Sequence, residues 1–291
     1  MKASNRSGAV TLRVKPLITA LAVIGMLATS GQAAAAEWSD TSISFRAGNK
    51  YHEPFNRQDI GKTIIGFTHV SGYKYGSNFV NADFLMSDGK DPSTVGGAGA
   101  QEVYLVYRHT LDLGKITGKK LDFGFVKNVG VTFGFDANAK NDFGYGSKKR
   151  MLVAGPTLML DVPGFMNVSL LVLDESNAPV GVQSRYKYKS HPMLTAAWGI
   201  PIGSSPFSYE GFVNLIANKG KNEFGGQTKA ETNFDSQIML DVGKVMGGPE
   251  RTFKVGLQYQ YWKNKFGNDA SGAAGPGATA KTPMIRAEYH F

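Results

Sequence analysis

From Ser42 to Phe291, apolar side chains recur at every second position, in segments parted by clusters of Gly, Pro, Asn, Asp and Ser. Successive residues of a strand point to opposite faces, so this period predicts extended chain with one apolar and one mixed face. Val129, Val131, Phe133 and Phe135 alternate with Gly130, Thr132 and Gly134. Phe253, Val255, Leu257, Tyr259 and Tyr261 likewise alternate with Lys254, Gly256, Gln258, Gln260 and Trp262. No segment shows helical periodicity. Strands are expected near 42–48, 62–71, 77–87, 100–113, 128–138, 150–162, 166–176, 189–202, 207–219, 229–243, 251–264 and 281–291, twelve in all.

The connections alternate in length. Those over 48–61, 87–99, 138–149, 177–189, 219–228 and 265–280 are long, 163–165 and 203–206 are tight, and 113–127 and 243–250 lie between. Short turns at one end and long loops at the other define an all-β, single antiparallel up-and-down barrel of about twelve strands. Residues 37–291 read as one domain.

The first residues have another character. Lys2, Arg6, Arg13 and Lys15 precede an apolar run from Leu17 to Ala28, which is followed by Gly31, Gln32 and Ala33 to Ala36. Charged, apolar and small residues in that order predict a secretory signal peptide over 1–36, cleaved after Ala36. Its loss removes four basic and no acidic groups, lowering the net charge from +9 to +5. Most of the basic excess thus belongs to targeting, and no nucleic-acid surface is expected.

Cysteine is absent, which excludes a disulfide framework and thiolate metal sites. Past residue 36 no stretch approaches the 18 apolar residues of a spanning helix. If the chain spans a membrane, it does so with strands.

Alternation alone does not say which face is wet, because a soluble barrel hides its apolar face and a membrane barrel presents it to lipid. Asn233, Asp235, Gln237 and Asp241 stand opposite Phe234, Ile238, Leu240 and Val242, a contrast that suits a charged lumen inside a lipid-facing wall. Trp38, Phe45, Tyr107, Trp198, Phe207 and Trp262 near strand ends suit interfacial girdles. The last strand alternates Ile285, Ala287, Tyr289 and Phe291 with Arg286, Glu288 and His290, and its terminal aromatic is similar to the signal of outer-membrane barrels. The expected location is the outer membrane of a Gram-negative bacterium, with its lipid as partner.

Several segments carry a family resemblance. They are Phe45 to Tyr51 with Glu53-Pro54-Phe55, His69 to Phe79, Asp83, Ser87 to Pro92, and Gln101 to Thr110. They resemble the Tsx-type nucleoside-specific outer-membrane channels, in the nucleoside-binding outer-membrane protein branch, most strongly over 43–110. The resemblance implies a monomeric twelve-stranded barrel passing nucleosides through a narrow lumen of aromatic and ionisable residues.

Alternation by itself directs Asn81, Asp83, Glu102, Tyr104, Arg108, Glu210, Phe212, Asn214, Lys254, Gln258 and Trp262 inward. A nucleoside is flat on one side and rich in hydroxyls on the other. Tyr104, Phe212 and Trp262 are the candidate stacking partners, and Asp83, Glu102 and Arg108 the candidate hydrogen-bonding ones. Tyr51, Glu53, Pro54 and Phe55 belong to the first long loop, which either folds toward the pore mouth or stays on the surface. No cofactor or metal is expected, since His52, His109, His191 and His290 lack ligand spacing. Alternatives are a general porin, a surface-receptor barrel, or a phospholipase built on His69 and Ser71, whose spacing fits but whose context lacks Asn-Gly; no enzyme activity is expected.

Overall fold

A computed structural model describes residues 36–94 and 98–291, so the signal-peptide reading lies outside the described residues except for Ala36. The strands in chain order are β1 (Trp38–Glu53), β2 (Asn56–Tyr73), β3 (Gly76–Ser87), β4 (Gln101–Asp112), β5 (Val126–Lys140), β6 (Arg150–Leu160) and β7 (Phe165–Asn177). They continue as β8 (Tyr186–Lys187), β9 (His191–Pro201), β10 (Phe207–Ile216), β11 (Glu231–Asp241), β12 (Phe253–Lys263) and β13 (Thr279–His290).

Twelve of these strands form a closed antiparallel ring, and β8 is a two-residue addition on β7. β13 closes on β1 with Phe45 opposite Ala287, and β6 pairs with both β5 and β7. Closure pairs the backbone donors and acceptors that an open sheet would leave along its edges. Each of the twelve expected segments coincides with one ring strand to within several residues.

The faces sort as a membrane barrel requires. Ile43, Phe45, Leu152, Leu170, Leu257 and Ile285 point outward and are exposed, while Arg46, Lys62, Asp235 and Glu288 point inward and are buried. A soluble barrel would show the reverse. Val242 is the exception in the expected outer row, because it opens a helical turn rather than continuing β11.

Three local features differ from the sequence reading. The first connection is not a long loop: β1 runs to Glu53 and β2 starts at Asn56, leaving only Pro54 and Phe55 between them. Register shifts between Gly48 and Tyr51, and again between Tyr51 and Glu53, break the alternation that a strand reading depends on. Glycine is required at 48, because a Cβ there would lie 2.7 Å from the Pro283 carbonyl oxygen.

The second and third differences are two five-residue helical turns, α1 (Leu113–Thr117) and α2 (Val242–Met246), in the two connections of intermediate length. Asp112 and Asp241 cap them by accepting from the backbone N–H groups of Lys115 and Lys244 at 2.8 and 3.1 Å. Gly118 and Gly247 end them in left-handed conformation, with φ of 66° and 69°. Turns this short show no helical period in sequence; the caps and the glycine are the readable signal.

Candidate channel lumen

Three kinds of wall line the interior. On β4 to β7 a chain of hydroxyls runs across four strands: Thr110 to Thr132 at 2.8 Å, Thr132 to Thr157 at 2.6 Å and Thr157 to Ser169 at 2.7 Å. Thr195 donates to Asn214 at 2.7 Å further round the ring, from β9 to β10. Residues on the same face of neighbouring strands meet directly, so hydroxyls on adjacent strands satisfy one another without water.

The second wall is ionic. Arg46 on β1 holds Asp83 on β3, and Arg108 on β4 donates to Asp136 on β5 at 2.5 Å, which also accepts from the Tyr104 hydroxyl at 3.0 Å. Asp235 accepts from Gln258 at 2.5 Å and Gln260 at 3.1 Å, and Lys254 pairs with Glu210 at 3.2 Å. Acids and bases are interleaved, so the wall carries both signs and presents no single-sign ring.

The third element is a constriction at the long-loop end. Glu53 gathers the ammonium groups of Lys62, Lys265 and Lys140 at 2.5, 3.2 and 3.5 Å, and Asp91 takes Lys140 at 2.9 Å. Beside it Glu175 pairs with Lys219 at 2.6 Å and Lys149 at 3.4 Å. The β12–β13 connection turns inward here, with Asn264 and Phe266 at φ of 52° and 59°, a conformation unusual for a residue as bulky as phenylalanine. Phe266 packs edge-on to Trp262 with centroids 4.9 Å apart, and the Lys149 and Lys265 ammonium groups lie 6.0 and 5.1 Å from its ring. Burial pushes the Lys265 ammonium below the ordinary lysine range, with Glu53 pulling it back up.

All six residues expected to face solute do point into the barrel. Asp83 and Tyr104 are register partners, and with Glu102 and Arg108 they form one patch on β3 and β4. Glu102 is held by Asn138. Phe212 and Trp262 lie across the lumen on β10 and β12, so the six do not form one contiguous cluster. Trp262 faces inward and therefore does not belong to an outer girdle; its indole N–H donates to Glu231 at 2.5 Å. Trp38, Phe45 and Phe207 are exposed outward as a girdle requires.

Alternation did not place every other lumen residue. Tyr51 and Glu53 point inward and are buried, because the register shift between Gly48 and Tyr51 reverses the faces of the end of β1. Arg46 Nε, His191 Nε2 and Asn233 Oδ1 are buried without a hydrogen-bond partner among the described residues, which leaves them capacity for water or solute. Lys149 and Lys265 lie in connections, where alternation has no meaning.

His69 and Ser71 both lie on the outer face of β2, and the His69 ring nitrogen Nδ1 is hydrogen-bonded to the Thr41 hydroxyl at 2.8 Å. Among the described residues there is no group of three or more His, Cys, Asp or Glu arranged to hold a metal ion.

No family model matches the chain, and no curated protein matches it. Among solved structures, the KdgM porin is similar at 9% identity over 86% of this chain and 99% of that one, with a TM-score of 0.41. The translocator domain of the autotransporter NalP from Neisseria meningitidis is similar at 11% identity over 97% and 100% of the two chains, with a TM-score of 0.40. The outer membrane protein opdK from Pseudomonas aeruginosa is similar at 9% identity over 88% and 99%, with a TM-score of 0.29. At such values the fold rests on the chain's own strand pairing, and the reading of its solute on its own lumen.

Proposed function

We propose that the protein is a monomeric outer-membrane channel through which single small solutes, nucleosides in particular, pass down their gradient. The observation that carries this reading is the lumen wall itself. Aromatic rings at Tyr104 on β4 and Phe212 on β10 stand on separate parts of a wall that carries charges of both signs, with a further aromatic pair at the mouth. A base stacks on such rings while ribose hydroxyls exchange hydrogen bonds with Asp83, Glu102 and Arg108. A balanced wall does not select ions strongly, which suits a neutral solute.

Ion current through the purified protein in a planar bilayer tests the proposal. Adenosine should reduce the current and reach half-block at a lower concentration than a sugar of similar size. Equal obstruction by both makes the protein a general pore, and none by either makes it a receptor barrel.

A further inference from the structure

The outer surface of the barrel carries a groove of about 410 Å³ at the short-connection end, lined by Tyr73, Tyr75, Leu111 and Ile116. It arises where two connections of unequal height meet. The β2–β3 turn is only Lys74 and Tyr75, whereas β4 continues into the helical turn α1, and the Asp112 N–H donates to the Tyr75 carbonyl at 2.8 Å to join them. Tyr73 and Tyr75 meet edge to face with centroids 6.2 Å apart. The Tyr73 hydroxyl bonds His109 Nε2 at 2.9 Å, and His109 Nδ1 bonds Asn78 at 2.8 Å, so the aromatic wall is held in place. Ile116 is 44% exposed on a turn with no core to bury it.

Two ammonium groups stand at the rim. Lys74 lies 5.1 Å from the Tyr75 ring and has no carboxylate partner among the described residues. Lys115 is 3.4 Å from both the Glu37 carboxylate and the Tyr73 carbonyl, contacts at the long end of their range that leave its head half in solvent. An apolar slot ending in two cations is complementary to an amphiphile with an anionic head. In bacterial barrels the short turns lie on the periplasmic side, so the lipid reaching this end belongs to the phospholipid leaflet.

We infer that this groove is a binding site for one anionic glycerophospholipid. An acyl chain lies along Tyr73, Tyr75, Leu111 and Ile116, and the phosphate sits between Lys74 and Lys115. The site is on the opposite surface of the wall from the lumen and does not depend on what the channel passes.

Native mass spectrometry of the purified barrel tests this, after exchange into detergent with equal phosphatidylglycerol and phosphatidylcholine of identical acyl chains. One phosphatidylglycerol should be retained in preference. Lys74→Gln and Lys115→Gln should each weaken its retention about fivefold. Ile116→Ser should weaken both lipids alike. All three positions are exposed, so the variants should fold, and unchanged circular dichroism and conductance would confirm it. Equal retention of the two lipids overturns the site. So does an equal loss in Lys119→Gln, which removes the same charge from a residue that does not line the groove, or displacement of the lipid by inorganic phosphate alone.

Discussion

The Lys265 ammonium lies 3.2 Å from the Glu53 carboxylate, and so ties the β12–β13 connection into the mouth of the barrel beside the end of β1. Glu53 also serves Lys62 and Lys140, making it the acid on which three buried bases converge. Replacing it with Gln leaves those ammonium groups around a neutral amide. Breaking a buried pair in this way costs about 3–5 kcal/mol. Glu53→Gln should therefore lower the denaturant midpoint and shift the reversal potential in a salt gradient toward anion selectivity. An unchanged reversal potential would show that the cluster does not lie on the ion path.

Thr157 is central to the hydroxyl chain and is 1% exposed. Thr157→Val keeps the shape but removes the partner of both Thr132 and Ser169. Stranding buried hydroxyls costs about 1–3 kcal/mol. The variant should unfold at lower denaturant with its ion selectivity intact. Wild-type stability would mean that water serves those hydroxyls equally well.

Tyr145 and Tyr188 both hydrogen-bond Glu223, at the loop end of the barrel, with Tyr188 at 2.6 Å. Burial, reinforced by the Glu223 carboxylate, pushes both phenols well above the ordinary tyrosine range. The neutral phenol is the bound form. This contact thus contributes stability in full below the ordinary value of about 10 and loses it as pH rises toward the folded values. Titration by absorbance at 295 nm should show Tyr145 and Tyr188 among the tyrosines that ionise later than in the unfolded chain. Tyr145→Phe and Tyr188→Phe should each remove one late step. The loops should loosen only above the ordinary tyrosine range, which conductance against pH would reveal.

If nucleosides stack in the lumen, Tyr104→Ala or Phe212→Ala should weaken half-block by about 1–3 kcal/mol for the stacking ring lost. Trp262→Ala should behave differently, because that ring already packs on Phe266 and lies 4.7 Å from the Lys265 ammonium. Its removal should chiefly raise single-channel conductance. Equal effects of all three on block, with conductance unchanged, would place Trp262 among the stacking residues instead.

Ser71→Ala should leave the purified barrel unchanged in a phospholipid-hydrolysis assay, with no Ser71-dependent activity before or after the change. The reason is local: the His69 ring is engaged by Thr41. Hydrolysis lost on substitution would make this outer face a catalytic one.

Alternation along the chain determined the strands and their number, and it sorted Asp83, Glu102, Tyr104, Arg108, Phe212 and Trp262 to one face. That much is local, since each residue's face follows from its parity within its own strand. Parity also put Thr132 on the mixed face without saying that its hydroxyl touches that of Thr157. Contact between strands depends on register, which the closed ring sets. Only the tertiary structure turned Tyr51 and Glu53 inward, because the register shift between Gly48 and Tyr51, three residues against two, reverses the count. Only it placed Lys265 and Phe266 in the mouth, since left-handed backbone at Phe266 has no signal in a residue of that type. The barrel was legible because a period repeats; the constriction was not, because it is built from a single connection held by partners more than two hundred residues away.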